Sequence, residues 1–195
     1  MNSASQKDND AQVWNSRYKN PGEGVSNGPN RLLINHIHLL SLTGSAVDFA
    51  MGLGWNAEIL MKRNWDVVGV DVAYQAVKRA KARVPGLKTF VTDLTLFSLL
   101  NKKFDLVMNF NYLQRDLFAN FKKMLKPRGM IMVETLCVVP AMKLENRVFS
   151  PDHYLEPGEL KGLFHDWDIL LYVEREHEVF GKPRGKSSLI ARLPG

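Results

Sequence analysis

Asp48, Gly52, Gly54 and Asp71 are the residues whose types and spacing could do chemistry. The glycines stand in Ala46-Val47-Asp48-Phe49-Ala50-Met51-Gly52-Leu53-Gly54, where an apolar run gives way to a turn. Glycine lets a backbone turn tightly and approach a ligand that a Cβ would block. A helix after such a turn aims its free N–H groups at the same spot. Asp71 ends the next apolar run, Val67 to Val70, where a carboxylate can accept hydrogen bonds from the two hydroxyls of a ribose. Asp48 sits beside the turn, where an acid is of no use to a phosphate and suits a ligand carrying positive charge. The set asks for a nucleoside joined to a cationic tail.

These residues need a strand at Ala46 to Ala50, a helix from Trp55 to Arg63 and a second strand ending at Asp71. That is half of a nucleotide-binding β-α-β unit. Gly52-x-Gly54-x-x-Ala57 also satisfies the dinucleotide pattern, and the acid at Asp48 decides against it. Asp48-x-Ala50-x-Gly52-x-Gly54 resembles motif I of the class I S-adenosylmethionine-dependent methyltransferases. The resemblance implies S-adenosyl-L-methionine as cofactor, its amino group and sulfonium suiting Asp48, and S-adenosyl-L-homocysteine as product. It implies a cofactor site made of Asp48, Ala50, Gly52, Gly54, Asn56, Asp71, Val72, Thr92, Asp93, Leu94, Asn109 and Phe110. In that reading Asp93, after the third strand, takes the exocyclic amine of adenine, and it can also cap the turn that follows.

A longer string, Tyr112-Leu113-x-Arg115-Asp116-Leu117-Phe118 and then Leu125-Lys126-Pro127-Arg128-Gly129 through Glu134-Thr135, is similar to tellurite-resistance-type and related small-molecule methyltransferases. Arg128 stands where that family usually has glycine. Asn109-Phe110-Asn111-Tyr112 matches the N-P-P-Y box of amide and adenine N-methyltransferases at Asn109 and Tyr112 and lacks both prolines. The resemblance runs from Trp14 onward and implies an α/β, Rossmann-like class I methyltransferase fold. Its seven-stranded, mostly parallel sheet has the order 3-2-1-4-5-7-6 and is flanked by helices.

The remaining elements follow from local signals. Residues 1–12 read as a disordered tail and 13–195 as one domain. Trp14 and Tyr18, four apart, share a helix face and either pin the N-terminus or form a flap over the ligand. Pro29 opens a helix through about Leu42, in which His36 and His38 lie too badly placed to share a metal. Val72 to Arg83 is a basic amphipathic helix, Leu87 to Val91 the third strand and Phe104 to Phe110 a central fourth strand. Trp167 to Val173 and Ser187 to Leu193 form a closing antiparallel pair, with the turn at Lys182 to Lys186.

No general base stands out, and no metal is expected. His153 and Tyr154, in the loop after the fifth strand, are candidates, with Glu145 and Arg147 in the same loop. Arg115 could hold an anionic group bidentately or pair with a neighbouring helix carboxylate. A thiol or chalcogen oxyanion acceptor needs no strong base. Cys137 lies in an apolar run and reads as core.

Bulk properties narrow the partners. The 195 residues suit a full-sized core, and the single cysteine allows no internal disulfide, which fits a reducing cytoplasm. No apolar run approaches the ~20 residues of a membrane span, and the polar start carries no secretory signal. The +6 charge is spread thinly, so nucleic acid is not the favoured partner. The expected partner is a small-molecule substrate, and the expected assembly is a monomer or weak homodimer. The alternatives are a non-catalytic cofactor-binding member of the fold, an RNA or protein methyltransferase, and an NAD(P)-dependent oxidoreductase. The last lacks a Tyr-x-x-x-Lys hydride-transfer pair.

Overall fold

A computed structural model describes residues 3–20, 25–94, 102–142, 151–179 and 182–195. Seven strands form one sheet in the order β3-β2-β1-β4-β5-β7-β6. The chain divides into two compact units, Met1–Leu100 and Asn101–Gly195.

The first unit holds α1 (Ser3–Lys19), α2 (Arg31–His36), β1 (Ser45–Phe49), α3 (Trp55–Met61), β2 (Asp66–Asp71), α4 (Tyr74–Arg83) and β3 (Lys88–Val91). β1 pairs in parallel with β2, and β2 with β3. Ala46, Val47 and Phe49 of β1 and Val67, Val68 and Val70 of β2 are all buried. That is the apolar continuity a parallel strand covered on both faces requires. On α4, Ala76, Val77 and Ala80 are buried and the lysines and arginines face outward. A Cβ on Gly54 would stand 3.0 Å from the Ala80 side chain, so glycine lets the turn close onto α4.

The expected disordered tail is helical from Ser3. Its C-terminal half docks on α4, whose N-cap Ala73 has no side chain able to cap it. Asn15 Oδ1 accepts the Gln75 N–H at 3.0 Å, and Arg79 donates to the Lys19 carbonyl at 2.6 Å. An orphan N–H of the first helical turn is thereby satisfied from another helix. α2 ends at His36 and tightens into a 3-10 turn over Ile37–Leu39, short of the expected Leu42.

The second unit holds β4 (Phe104–Phe110), α5 (Arg115–Met124), β5 (Leu125–Cys137), a 3-10 turn at Pro151–His153, α6 (Glu159–Leu163), β6 (Asp168–Val179) and β7 (Lys182–Arg192). β4 and β5 are parallel, and β7 runs antiparallel to both β5 and β6. α5 buries Leu117, Phe118, Phe121 and Met124 on one face. Phe118 meets Phe121 and Phe164 edge-on, and Phe164 meets Trp167 likewise. The closing hairpin is longer than expected. Lys182 to Lys186 is not a turn but the start of β7, paired with Arg175 through Val179. Charged residues have low strand propensity, which concealed this pairing in the sequence.

Arg128 adopts φ +60°, the left-handed region that favours glycine. That geometry accounts for the glycine the resembling family keeps there. A side chain in this region costs about 1–2 kcal/mol, partly offset by glycine's own entropy. Arg128→Gly should therefore raise stability by roughly 0.5–1 kcal/mol in urea unfolding. A loss of stability would show that the Arg128 side chain carries contacts worth more than the backbone strain.

Candidate cofactor site and polar cluster

The first unit brings together Asp48, Ala50, Gly52, Gly54, Asn56 and Asp71. β1 ends in a turn with three left-handed residues, Ala50 at φ +50°, Gly52 at +55° and Gly54 at +75°. The turn is fixed from β2: Met51 N–H donates to the Val70 carbonyl at 3.1 Å, and Gly52 N–H donates to Asp71 Oδ2 at 2.8 Å. Asp71 Oδ1 accepts the Ala73 N–H at 2.8 Å. A carboxylate has about four lone-pair sites, so this buried acid can accept two further hydrogen bonds while holding both backbone groups.

Asp48 is 1% exposed, and its Oδ2 has no hydrogen-bond partner. Its other support is Asn56, whose Oδ1 accepts the Asn30 N–H at 2.8 Å. Burial raises the Asp48 carboxyl to about 8, against the hydrogen bond from Asn56, with the charge of Asp71 adding to the rise. Burial lifts Asp71 to about 6, although the N–H groups of Ala73 and Gly52 favour its ionised form. Of the two, Asp48 is the acid that resists ionisation at neutral pH until a cation arrives.

Tyr18 completes this cradle. A Cβ on Gly52 would stand 2.7 Å from the Tyr18 hydroxyl, so α1 lays its phenol on the glycine turn. Burial, and then the negative charge of Asp71, push the Tyr18 phenol far above its ordinary range. Trp14 packs against Tyr18 at 5.9 Å between ring centroids. Trp55 turns away under the Arg83 guanidinium, 3.3 Å above its ring, and donates Nε1–H to the Ser26 carbonyl at 3.2 Å. At the ends of β2 and β3, Val72 and Asp93 are partly exposed, Leu94 is buried, and Thr92 N–H donates to the Asp71 carbonyl at 3.1 Å.

In the second unit, Asn109 and Phe110 end β4 and are buried, and neither amide atom of Asn109 has a partner. Arg115 is committed to Glu159, with Nε and Nη2 on its two carboxylate oxygens at 2.5 and 2.9 Å. It also donates to the Tyr154 carbonyl at 3.0 Å and the Asp152 carbonyl at 3.2 Å. The carboxylate alternative for Arg115 is therefore the one the fold uses. Tyr154 is 1% exposed, inside the core, and His153 is exposed. Glu145 and Arg147 lie outside the described residues. Cys137 is buried, and burial pushes its thiol up to about 12, so it is no nucleophile.

Sequence reasoning missed a second polar cluster, at the carboxyl end of β5. Buried Glu134 accepts from Arg175, from Lys186 at 2.9 Å and from Ser188 at 2.9 Å. Only the Glu134-Thr135 pair of the family string pointed here, because Arg175 and Lys186 arrive from a hairpin whose register is not local. Among the described residues, no group of three His, Cys, Asp or Glu side chains could hold a metal, and no helix is long and apolar enough to cross a membrane.

Residues 46–129, which include the whole glycine turn and Asp71, match the family model described as a methyltransferase domain. That match covers less than half of the chain, and the seven-stranded sheet order is that of the Rossmann-like class I methyltransferase fold. Among solved structures it is similar to TehB from Haemophilus influenzae, at 15% identity and a TM-score of 0.75, covering 94% of this chain. The chain spans 66% of that TehB chain, just under two thirds. It is also similar to the N-methyltransferase NodS from Bradyrhizobium japonicum in complex with S-adenosyl-L-homocysteine, at 19% identity and a TM-score of 0.69, covering 95% of this chain and 98% of that one. A SAM-dependent methyltransferase from Methanosarcina mazei matches at 18% identity and a TM-score of 0.67, covering 86% and 99%. At such identities the likeness is one of fold. No curated protein sequence matches the chain.

The cradle fits the cofactor on its own evidence. A buried carboxylate oxygen without a partner suits a cationic tail, and Asp71 keeps lone pairs for further donors beside the glycine turn. The raised carboxyls fix a pH dependence. Asp48 ionises near 8 when folded and near its ordinary 3.8 when unfolded, so ligand-free stability is full below pH 4 and falls as pH rises toward 8. A cation binds the ionised form. Affinity for S-adenosylhomocysteine, which keeps the ammonium group, should rise from pH 6 to 8 by up to about tenfold per unit and then level off. Calorimetry at three pH values would read this slope, and Asp48→Asn should flatten it. An unchanged slope in that variant would remove Asp48 from the role.

Proposed function

We propose that the chain transfers the methyl group of S-adenosylmethionine to a small-molecule acceptor, with thiols and chalcogen oxyanions as the acceptor classes. The observation that carries the reading is the buried, unpartnered Asp48 oxygen beside the glycine turn. When bound, the cofactor supplies a methyl group already activated on a sulfonium. The chain's residues then have to bind, orient and exclude water, a contribution of up to ~7–11 kcal/mol for well-oriented reactants.

In this proposal Asp48 faces the positive charge of the methionine tail, supported by Asn56. Asp71 accepts from the ribose hydroxyls with the lone pairs left over from Gly52 and Ala73. Val72, Thr92, Asp93 and Leu94 line the adenine side, with Asp93 accepting from the exocyclic amine. Asn109 offers its unpaired amide to a ligand. Tyr18, laid on Gly52, makes α1 a flap. A thiol near neutral pH is partly deprotonated already, which suits a chain whose Arg115 and Tyr154 are engaged in structure. The lone buried cysteine fits a cytoplasmic location, and we place the chain there as a monomer or weak homodimer.

The acceptor classes are tested by transfer of labelled methyl groups to 2-mercaptoethanol, selenite and phenol in parallel. Turnover confined to phenol would reject both proposed classes. The ribose assignment is tested by a cycle that pairs Asp71→Ala with 2′-deoxy-S-adenosylhomocysteine. Each single change should weaken binding by about 1–3 kcal/mol, and the two together should be less than additive. Full additivity would separate Asp71 from the ribose. Deletion of residues 1–20 should lower turnover at saturating acceptor. If only the melting temperature falls, α1 is a strut and not a flap.

A further inference from the structure

The register of the closing hairpin places like charges opposite one another. Arg175 on β6 pairs with Lys186 on β7, and His177 pairs with Arg184. Directly opposed residues of an antiparallel pair share a face, and like charges there are destabilising. On the other side of β7, Glu134 of β5 is opposite Ser188. The face therefore carries Arg175, Lys186, His177 and Arg184 around one buried carboxylate.

Glu134 is 3% exposed, and its oxygens are taken by Arg175, Lys186 and the Ser188 hydroxyl. Asn111 adds to the arrangement. Its backbone is left-handed at φ +57°, its N–H donates to the Glu134 carbonyl at 2.7 Å, and its Oδ1 accepts from Lys186 at 3.1 Å. The triad of Arg175, Glu134 and Lys186 bears one negative and two positive charges, so it is left net positive. A buried ion pair adds little to stability against an apolar core, and this one also brings two cations together. A sequence shaped only for stability has no reason to keep it.

The cations are held, not loose. Glu134 fixes one N–H of Arg175, whose side chain is still 49% exposed, so the outer edge of a five-donor fork faces solvent. Lys186, at 25% exposure, stands beside it. His177 has a buried Nδ1 without a partner. Burial and then the charges of Lys186, Arg175 and Arg184, opposed by Glu134, hold its imidazole below its ordinary range, so the ring is within reach of the same field. The cluster lies at the carboxyl ends of β4 and β5, the edge of an open α/β sheet where ligands bind.

From this geometry we infer that the Arg175–Glu134–Lys186 cluster is a binding site for the carboxylate of an organic acceptor, held as a handle remote from the atom that is methylated. The inference rests on the methyl-transfer reading for the word acceptor. The anion site itself does not. A planar carboxylate matches the fork of an arginine bidentately, with the lysine ammonium as a second partner. A carboxylate so paired has its oxygen lone pairs engaged and is a poor nucleophile, so the carboxylate held here is not the group that reacts.

The test is an NMR titration of the full-length protein, following the His177 ring as sodium propionate is added, with and without saturating S-adenosylhomocysteine. Sodium chloride at matched ionic strength and methyl phosphate are the comparison arms. The expected result is a saturating shift of the His177 signals with propionate that chloride does not reproduce. Arg175→Gln and Lys186→Gln should each weaken it at least about tenfold. Arg175→Lys, which keeps the charge and loses the fork, should weaken it less. All three variants should bind S-adenosylhomocysteine as the unmodified chain does. Equal shifts with chloride would reduce the cluster to a screened patch, and saturation by methyl phosphate alone would overturn the carboxylate. An undiminished response in both glutamine variants would remove these residues from the site. Failure to bind S-adenosylhomocysteine at all would count against the methyl-transfer reading, while the titration without it still decides the anion site.

Discussion

The carboxylate of Asp71 holds the ligand end of the first unit in shape. One oxygen ties down the Gly52 N–H in the turn after β1, and the other ties the Ala73 N–H where the chain leaves β2. Both donors are backbone groups in a buried setting, and each would cost about 1–3 kcal/mol if left unpaired. Charge-assisted bonds of this kind are roughly twice as strong as neutral ones. They let the turn carry a left-handed alanine at residue 50, a conformation that sterics oppose. An acid at this position thus builds the cradle before it meets any ligand.

That construction leaves two carboxylates in one buried place. Asp71 has backbone donors that favour its ionised form, whereas Asp48 has Asn56 and an oxygen with nothing to accept. The proton therefore stays on Asp48 near neutral pH, and the pair is incomplete until a positive charge enters. Strongly shifted groups in a cleft mark function because a fold gains nothing by burying an acid it cannot satisfy. Asn56 is held in turn by the Asn30 backbone, and Asn30 caps α2 through Leu32 at 2.7 Å. The segment before α2 is thus coupled to the state of Asp48.

Much of this was legible in the sequence because it is local. The glycine turn, the acid closing β2 and the apolar strands are patterns of a few neighbouring residues, and the sheet order was implied by the family resemblance those patterns carry. Three features were not local. The first ten residues read as polar and without periodicity, yet α1 starts at Ser3, and it meets α4 through Asn15, a contact made across a gap of 60 residues. β6 and β7 extend through charged residues whose own propensity argues against a strand, so the turn was placed inside β7. Glu134 was visible as an acid in an apolar strand, but its two cations lie 41 and 52 residues away.

The fate of the two arginines shows why residue type alone misassigns an anion site. Arg115 was the natural candidate, since it sits in the family string just after β4. The fold gives it a bidentate carboxylate partner and two carbonyls, so drawing it to a ligand would mean breaking four hydrogen bonds and stranding Glu159. Glu159 in turn caps the Glu156 N–H at 2.8 Å, and the ordering of the turn before α6 depends on it. Arg175 meets its carboxylate through Nη2, and it does so at a buried glutamate already shared with Lys186 and Ser188. An arginine whose donors are saturated is a strut. One anchored by a single edge, on a net-positive triad with its far side in water, is placed to recognise a partner.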